Sequence, residues 1–297
     1  MGRCQLQYMP GSAKSAIALA AILGIEAAPV SLHRFPDGEL RATVSSPEPT
    51  TVLYAAFDPP NEKLMAVLFA AEALRRNGCR RLVLVAPYLC YMRQDSAFQP
   101  CEGISQRVVG RLLSNAVDRV ITVNAHLHRT KDIRRIFPGI AAEDISAMPA
   151  IAKYLQKVPL DPATIVVGPD EESRPWISDV SRRLGLTFVI AQKTRQGDNS
   201  VAITLPPQDF QRRPVLLVDD IVSSGGTLMA CANALKSAGA AGIDAVVVHA
   251  LFPANQIVQF ELAGIRSIRS TDSLSHPSSV ISLAEPLAKA LRSEVDT

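Results

Sequence analysis

The chain has few of the features that announce a chemistry. Its five cysteines, Cys4, Cys79, Cys90, Cys101 and Cys231, are odd in number and show no C-x-x-C spacing. That argues against a disulfide scaffold or a thiolate zinc site and favours reduced thiols in a cytoplasmic compartment. A net charge of +3 over 297 residues is too small to argue for nucleic acid. No apolar run reaches the ~18 residues needed to cross a bilayer. The stretch "AIALAAILGIEAAPV" has the apolar look of a signal core, but Glu26 interrupts it and it reads as a helix after a strand and turn. There is no G-x-x-x-x-G-K-S/T phosphate loop, no G-x-S-x-G and no H-E-x-x-H.

What is present is an α/β pattern. A hydrophobic content of 47% supplies real cores, and the length suits two domains. Strand-like runs such as "TVLYAAF", "RLVLVAPY", "TIVVGPD" and "PVLLVDD" alternate with helical patterns, which predicts parallel sheets. The halves also echo one another. "TVLYAAFDPPNEKLMAVLFAAEALRRNGCRRLVLVAPY" repeats the order and spacing of "PVLLVDDIVSSGGTLMACANALKSAGAAGIDAVVVHAL". Two similar domains are expected, 1–145 and 146–297, divided near Pro138–Pro149.

The second copy of that echo carries the most chemistry. An apolar strand ends on Asp219-Asp220, and Ser223, Ser224, Gly225, Gly226 and Thr227 lead into a helical pattern from Leu228. Ligands of open α/β sheets sit beyond the carboxyl ends of strands. Small residues before a helix offer backbone N–H groups and hydroxyls to a phosphate. The two carboxylates would repel that phosphate, so they call for sugar hydroxyls or a magnesium ion. An ordinary N-terminal cap also fits the local pattern, but explains only one of the acids.

Other strand ends are weaker alone. "HRFPDGELRATV" puts Phe35, Asp37 and Glu39 in a turn between extended runs, where Pro-Asp-Gly is common turn chemistry. Tyr88, Tyr91, Arg93, Gln94 and Asp95 follow a strand, and an aromatic, a guanidinium and an amide suit a purine and its phosphates. His126 follows another strand, with a phosphate or a metal-bound oxygen as its expected partner; a zinc pair with His128 lacks further ligands. Asp170 ends a strand and is a candidate magnesium ligand, with Glu171 and Glu172 after it. Lys193 and Arg195 occupy a polar stretch that reads either as a mobile loop closing on a charged transition state or as a solvated loop.

Taken in order, "RFPDGE", "APYLCYMRQD", "NAHLH", "VVGPD", "KTR" and "VDDIVSSGGT" resemble the motifs of the ribose-phosphate pyrophosphokinase family over nearly the whole chain. The last motif is shared with type I phosphoribosyltransferases; the first two separate the families. The resemblance implies two phosphoribosyltransferase-like domains, each a mostly parallel sheet flanked by helices. It also implies transfer of the diphosphoryl group of ATP to the 1-hydroxyl of ribose 5-phosphate, with magnesium. Asp219 and Asp220 would hold the ribose hydroxyls, and residues 223–227 the 5-phosphate. Arg93, Gln94, Asp95 and His126 would contact ATP, His126 and Asp170 its metal, and Lys193 and Arg195 the reacting phosphate. Phe35, Asp37 and Glu39 would reach the adenine of a neighbouring subunit, so a homo-oligomer is expected. One departure stands out: "EESRPW" follows Pro169-Asp170 where the family carries a small, Gly-containing stretch. The added acids raise two alternatives, a catalytically weak regulatory paralogue and, more distantly, a type I phosphoribosyltransferase.

Overall fold

Each half of the chain builds a six-stranded sheet in which the paired strands are parallel. The computed structural model describes residues 4–127, 129–130, 132–195 and 201–296, with the backbone alone for Arg195 and Val201.

In the first unit, β1 (Cys4–Tyr8), α1 (Ala13–Leu23) and β2 (Glu26–Pro29) are followed by an antiparallel hairpin, β3 (Ser31–Arg34) and β4 (Leu40–Thr43). Then come β5 (Thr50–Tyr54), α2 (Pro60–Arg76), β6 (Arg81–Ala86), α3 (Ser105–Ala116), β7 (Arg119–Val123) and β8 (Ala141–Ile145). The sheet order is β2-β1-β5-β6-β7-β8. Its central strands read as continuous apolar runs because helices cover both faces, and Leu82 to Ala86 are fully buried.

The second unit runs α4 (Met148–Leu155), β9 (Ile165–Gly168), α5 (Arg174–Leu184), β10 (Thr187–Ile190), β11 (Gln192–Arg195), β12 (Val201–Thr204) and β13 (Pro214–Val222). It continues with α6 (Gly226–Ser237), β14 (Gly242–Ala250), α7 (Ile257–Leu262), β15 (Ile265–Thr271) and β16 (Ser279–Ile281). Its sheet order, β10-β9-β13-β14-β15-β16, has the same pattern as the first, as the internal echo predicts. Strands β11 and β12 form a separate antiparallel ribbon. The core joins Val215 and Leu217 of β13 to Leu228, Cys231 and Leu235 of α6.

The final helix, α8 (Ala284–Val295), departs from sequence order. It belongs to the compact unit of residues 1–145, whereas the sequence assigns everything from 146 to 297 to the second half. Its apolar face is buried through Leu287 and Leu291. Its Glu294 accepts hydrogen bonds from Arg81 at 2.7 Å and Arg119 at 2.9 Å. The Arg81 hydrogen bond holds this carboxyl below the usual glutamate range against its burial, and Arg119 adds to that.

Candidate active site

Strands β9 and β13 are neighbours in the second sheet, so their carboxyl ends share one edge. Asp170 lies two residues beyond β9, and Asp219 and Asp220 fall within β13 itself, which runs on to Val222. Lys193 Nζ lies 3.6 Å from Asp170 Oδ2. Asp219 Oδ1 accepts from the Asp220 N–H at 3.0 Å, and Asp220 Oδ1 from the Ile221 N–H at 2.8 Å. Burial, followed by the charges of Asp220 and Asp170, pushes Asp219 well above the ordinary carboxylate value, with Lys193 opposing. The same site raises the Cys231 thiol to about 12, through burial and then the charges of Asp219 and Asp170. Three acids and one lysine therefore meet at one sheet edge with negative charge in excess. Sugar hydroxyls or a divalent cation would relieve it.

The loop after β13 presents small residues at the start of a helix. Ser223 and Ser224 are exposed, and α6 starts at Gly226, two residues before the apolar pattern suggests. Gly225 caps that helix with φ 70°, a left-handed conformation that favours glycine. A Cβ there would stand 2.4 Å from the Phe260 ring, so α7 leaves no room for a side chain. Gln256 Nε2 donates to the Ser224 carbonyl and fixes the loop from the same side. Phe260 and Gln256 are positioning residues that the sequence reading missed. They lie more than thirty residues downstream, and no local pattern marks them.

Lys193 and Arg195 do not begin an irregular loop. Both are in β11, where Lys193 pairs with Ile203 of β12, so the ribbon fixes the Lys193 backbone. The Arg195 side chain lies outside the described residues. Glu171 and Glu172 are exposed, and Arg174 binds Glu171 at 2.8 Å and holds it below the ordinary glutamate value. One of the two extra acids is thus neutralised within its own turn.

In the first unit, "FPDGE" is the tip of the β3–β4 hairpin. The Phe35 N–H donates to Glu39 at 2.8 Å, and the Glu39 N–H to Asp37 Oδ1 at 3.1 Å. Phe35 is exposed, with its ring edge-on to His33 at 4.6 Å and the Arg41 guanidinium 5.8 Å from its centroid. Arg93 is exposed, and Gln94 binds Glu102 at 3.2 Å and also Ser105. Asp95 departs from its expected role as a presented ligand. Its side chain is only 1% exposed. Burial alone would raise it, but the Arg129 N–H at 3.0 Å and guanidinium at 2.7 Å outweigh that and hold it below the ordinary value. Asp95 thereby fixes the loop that bears Arg93 and Gln94. His126 follows β7 at φ 53°, its N–H donating to the Asn124 carbonyl at 2.8 Å, while Asp144 takes the Ala125 N–H at 3.0 Å. His128 lies outside the described residues. Among the described residues no cluster of three or more His, Cys, Asp or Glu forms a metal site, and no helix is long and apolar enough to cross a membrane.

Comparison with known proteins gives a consistent result. Residues 6–116 match the model of the N-terminal domain of ribose phosphate pyrophosphokinase, and residues 143–282 that of the phosphoribosyl transferase domain. A ribose-phosphate pyrophosphokinase of Methanopyrus kandleri is 33% identical over 275 residues, covering 92% of this chain and 93% of that one. Ribose-phosphate pyrophosphokinase 2 of Archaeoglobus fulgidus is 32% identical over 280 residues, covering 94% and 97%. The crystal structure of phosphoribosylpyrophosphate synthetase from Mycobacterium smegmatis has the same fold, with a TM-score of 0.84 at 23% identity over 99% of both chains.

Proposed function

Because the chain belongs to the ribose-phosphate pyrophosphokinase family, we propose that it transfers the diphosphoryl group of ATP to the 1-hydroxyl of ribose 5-phosphate, with AMP as the second product. The observation that carries this reading is the edge where Asp170, Lys193, Asp219 and Asp220 meet beside the Ser223–Thr227 loop. Asp219 and Asp220 accept from the ribose hydroxyls, and the loop and the start of α6 take the 5-phosphate. The O1–Pβ bond forms as the bond from Pβ to the α,β-bridging oxygen breaks; AMP leaves with that electron pair, and the 1-hydroxyl proton passes to solvent. Lys193, with Arg195, faces the charge that shifts during that exchange. In the first unit, Arg93, Gln94 and His126 hold ATP, and Asp95 keeps their loop in place. Phe35, preorganised at an exposed hairpin tip with Asp37 and Glu39, stacks on the adenine of a neighbouring subunit's ATP, which requires a homo-oligomer.

Magnesium fits the acids present, since it binds through one or two carboxylates together with substrate phosphates. Asp170 would hold it in the second unit and His126 would lie by the metal-bound phosphates in the first. When bound, it neutralises the charge of the diphosphoryl group. The five free thiols suit the reducing cytoplasm.

The test is direct: purified protein with ATP, ribose 5-phosphate and magnesium, measuring AMP and the diphosphorylated sugar. The two should appear in step, and only with a divalent metal. ADP or free pyrophosphate as the main product would overturn the reading. Intact nucleotide binding without turnover would favour the regulatory paralogue. Consumption of the diphosphorylated sugar with a base would favour a transferase.

A further inference from the structure

The first unit carries a cavity of about 440 Å³ walled largely by guanidinium groups. Arg107 and Arg111 come from successive turns of α3, Arg129 from the segment after β7, and Arg135 from the short 3-10 turn Ile133–Arg135. The one acid on its wall is Asp95, whose carboxylate is already engaged by Arg129. Among the described residues, no ion pair uses Arg107, Arg111 or Arg135. Like charges four residues apart on one helix oppose that helix, so a bound anion would relieve a standing repulsion.

The backbone brings these arginines together by close contact. Gly110 lies between Arg107 and Arg111, and a Cβ there would stand 2.1 Å from the Ile136 carbonyl oxygen. Helix α3 therefore meets the 133–136 turn at a distance only glycine permits. Buried Ile133 and Ile136 anchor that turn, and Asp132 caps it through the Arg134 N–H at 3.0 Å. Asp132 also takes up the Arg134 side chain at 2.8 Å, which leaves Arg135 as the turn's cation on the cavity wall. Thr130 Oγ1 donates to Gln106 Oε1 at 3.2 Å and adds a polar wall between the arginines.

We propose that this cavity binds a compact polyanion carrying two or more phosphate-type groups. Planar guanidinium forks on three separate elements suit bidentate contacts to such groups. The volume is that of a small-molecule site. A cavity of this size on a chain of net charge only +3 is not arranged for an extended polymer. An anion that competes with Asp95 for Arg129 acts directly on the loop bearing Arg93 and Gln94. The cavity shares Asp95 with the ATP loop, but the arginines that define it take no part in the proposed reaction.

Calorimetric titration of inorganic pyrophosphate into metal-free protein, with ribose 5-phosphate saturating, tests this. A binding component should be present in the wild type, weaken at least tenfold in Arg107→Ala/Arg111→Ala, and weaken likewise in Arg135→Ala. Arg134→Ala, a neighbouring exposed arginine outside the cavity, should leave it unchanged. Any component kept in all variants belongs to the substrate sites. Absence of an arginine-dependent component, or equal loss in Arg134→Ala, overturns the proposal. So does inorganic phosphate binding as tightly as pyrophosphate, or a single-stranded oligonucleotide binding more tightly with the same arginine dependence. Arg135→Ala alters a different element from α3, so it decides the matter even if the double variant does not fold.

Discussion

The Lys193 ammonium nitrogen lies 3.6 Å from a carboxylate oxygen of Asp170, near enough to pair yet beyond hydrogen-bond length. A lysine held this way is available to a second anion without first giving up a strong bond. The charge on Asp170 places it at the acid cluster, and the β11–β12 ribbon fixes its backbone.

Lys193→Ala should therefore lower kcat by about 10²–10³-fold, the scale of losing one preorganised transition-state donor. KM for ATP and for ribose 5-phosphate should change little, because binding common to ground and transition states is retained. Arg195→Ala should behave alike, with the double variant losing less than the product of the singles. Steady-state kinetics of the three variants decide it. A near-normal kcat in Lys193→Ala would remove the catalytic assignment.

Asp219→Asn with Asp220→Asn should weaken ribose 5-phosphate while leaving ATP affinity nearly unchanged, by about 1.5–3 kcal/mol for each charge-assisted bond lost. Each carboxylate accepts a neighbouring backbone N–H that an asparagine oxygen can also accept, so neither replacement should lower the melting temperature by much. Calorimetric binding of each ligand, with a melt of each single variant, checks both expectations. Equal weakening of both ligands would move the acids to the nucleotide.

Gly225→Ala should cost about 1–3 kcal/mol of stability, since a left-handed residue acquires a side chain against the Phe260 ring. KM for ribose 5-phosphate should rise, because the 223–227 backbone has to shift. Phe260→Ala in the same background should recover part of the affinity at a further cost in stability. A variant with unchanged melting temperature and KM would show that the loop tolerates a Cβ there.

Glu294→Gln should destabilise the first unit by about 1.5–3 kcal/mol at neutral pH, the worth of a hydrogen bond to a charged group. The carboxyl's native value is depressed by Arg81 and Arg119, so its contribution is complete above the ordinary glutamate value of about 4.3. It is lost as pH falls through the lower native value. Denaturant unfolding between pH 3 and about 7 should show a steeper acid loss in the wild type than in Glu294→Gln. Parallel curves would assign the acid sensitivity to other carboxylates.

Legibility in the sequence followed the range of the forces involved. Buried parallel strands such as Arg81–Ala86 and Ile165–Gly168 stood out as apolar runs, because local hydrophobicity decides them. The edge strand Ala141–Ile145 did not, since its half-exposed "AAEDI" has no such run. Asp219, Asp220 and the 223–227 loop were readable because strand, acids and turn are contiguous. The engagement of Asp95 was not, because Arg129 lies 34 residues away. Neither was the support of Gly225 by Phe260, which depends on tertiary packing. Lys193 read as loop because "QKTR" is polar, and only its pairing with β12 makes it strand.

The position of α8 also sets an order of events during synthesis. Residues 1–145 leave the ribosome before α8, yet Arg81 and Arg119 acquire Glu294 only when α8 has emerged. The nascent first unit must wait, without α8, for the second unit to be translated. Chaperone demand should concentrate in that interval. Release of a chain that stops shortly before α8 would then yield a first unit with an uncovered apolar face, rather than a shorter but finished protein.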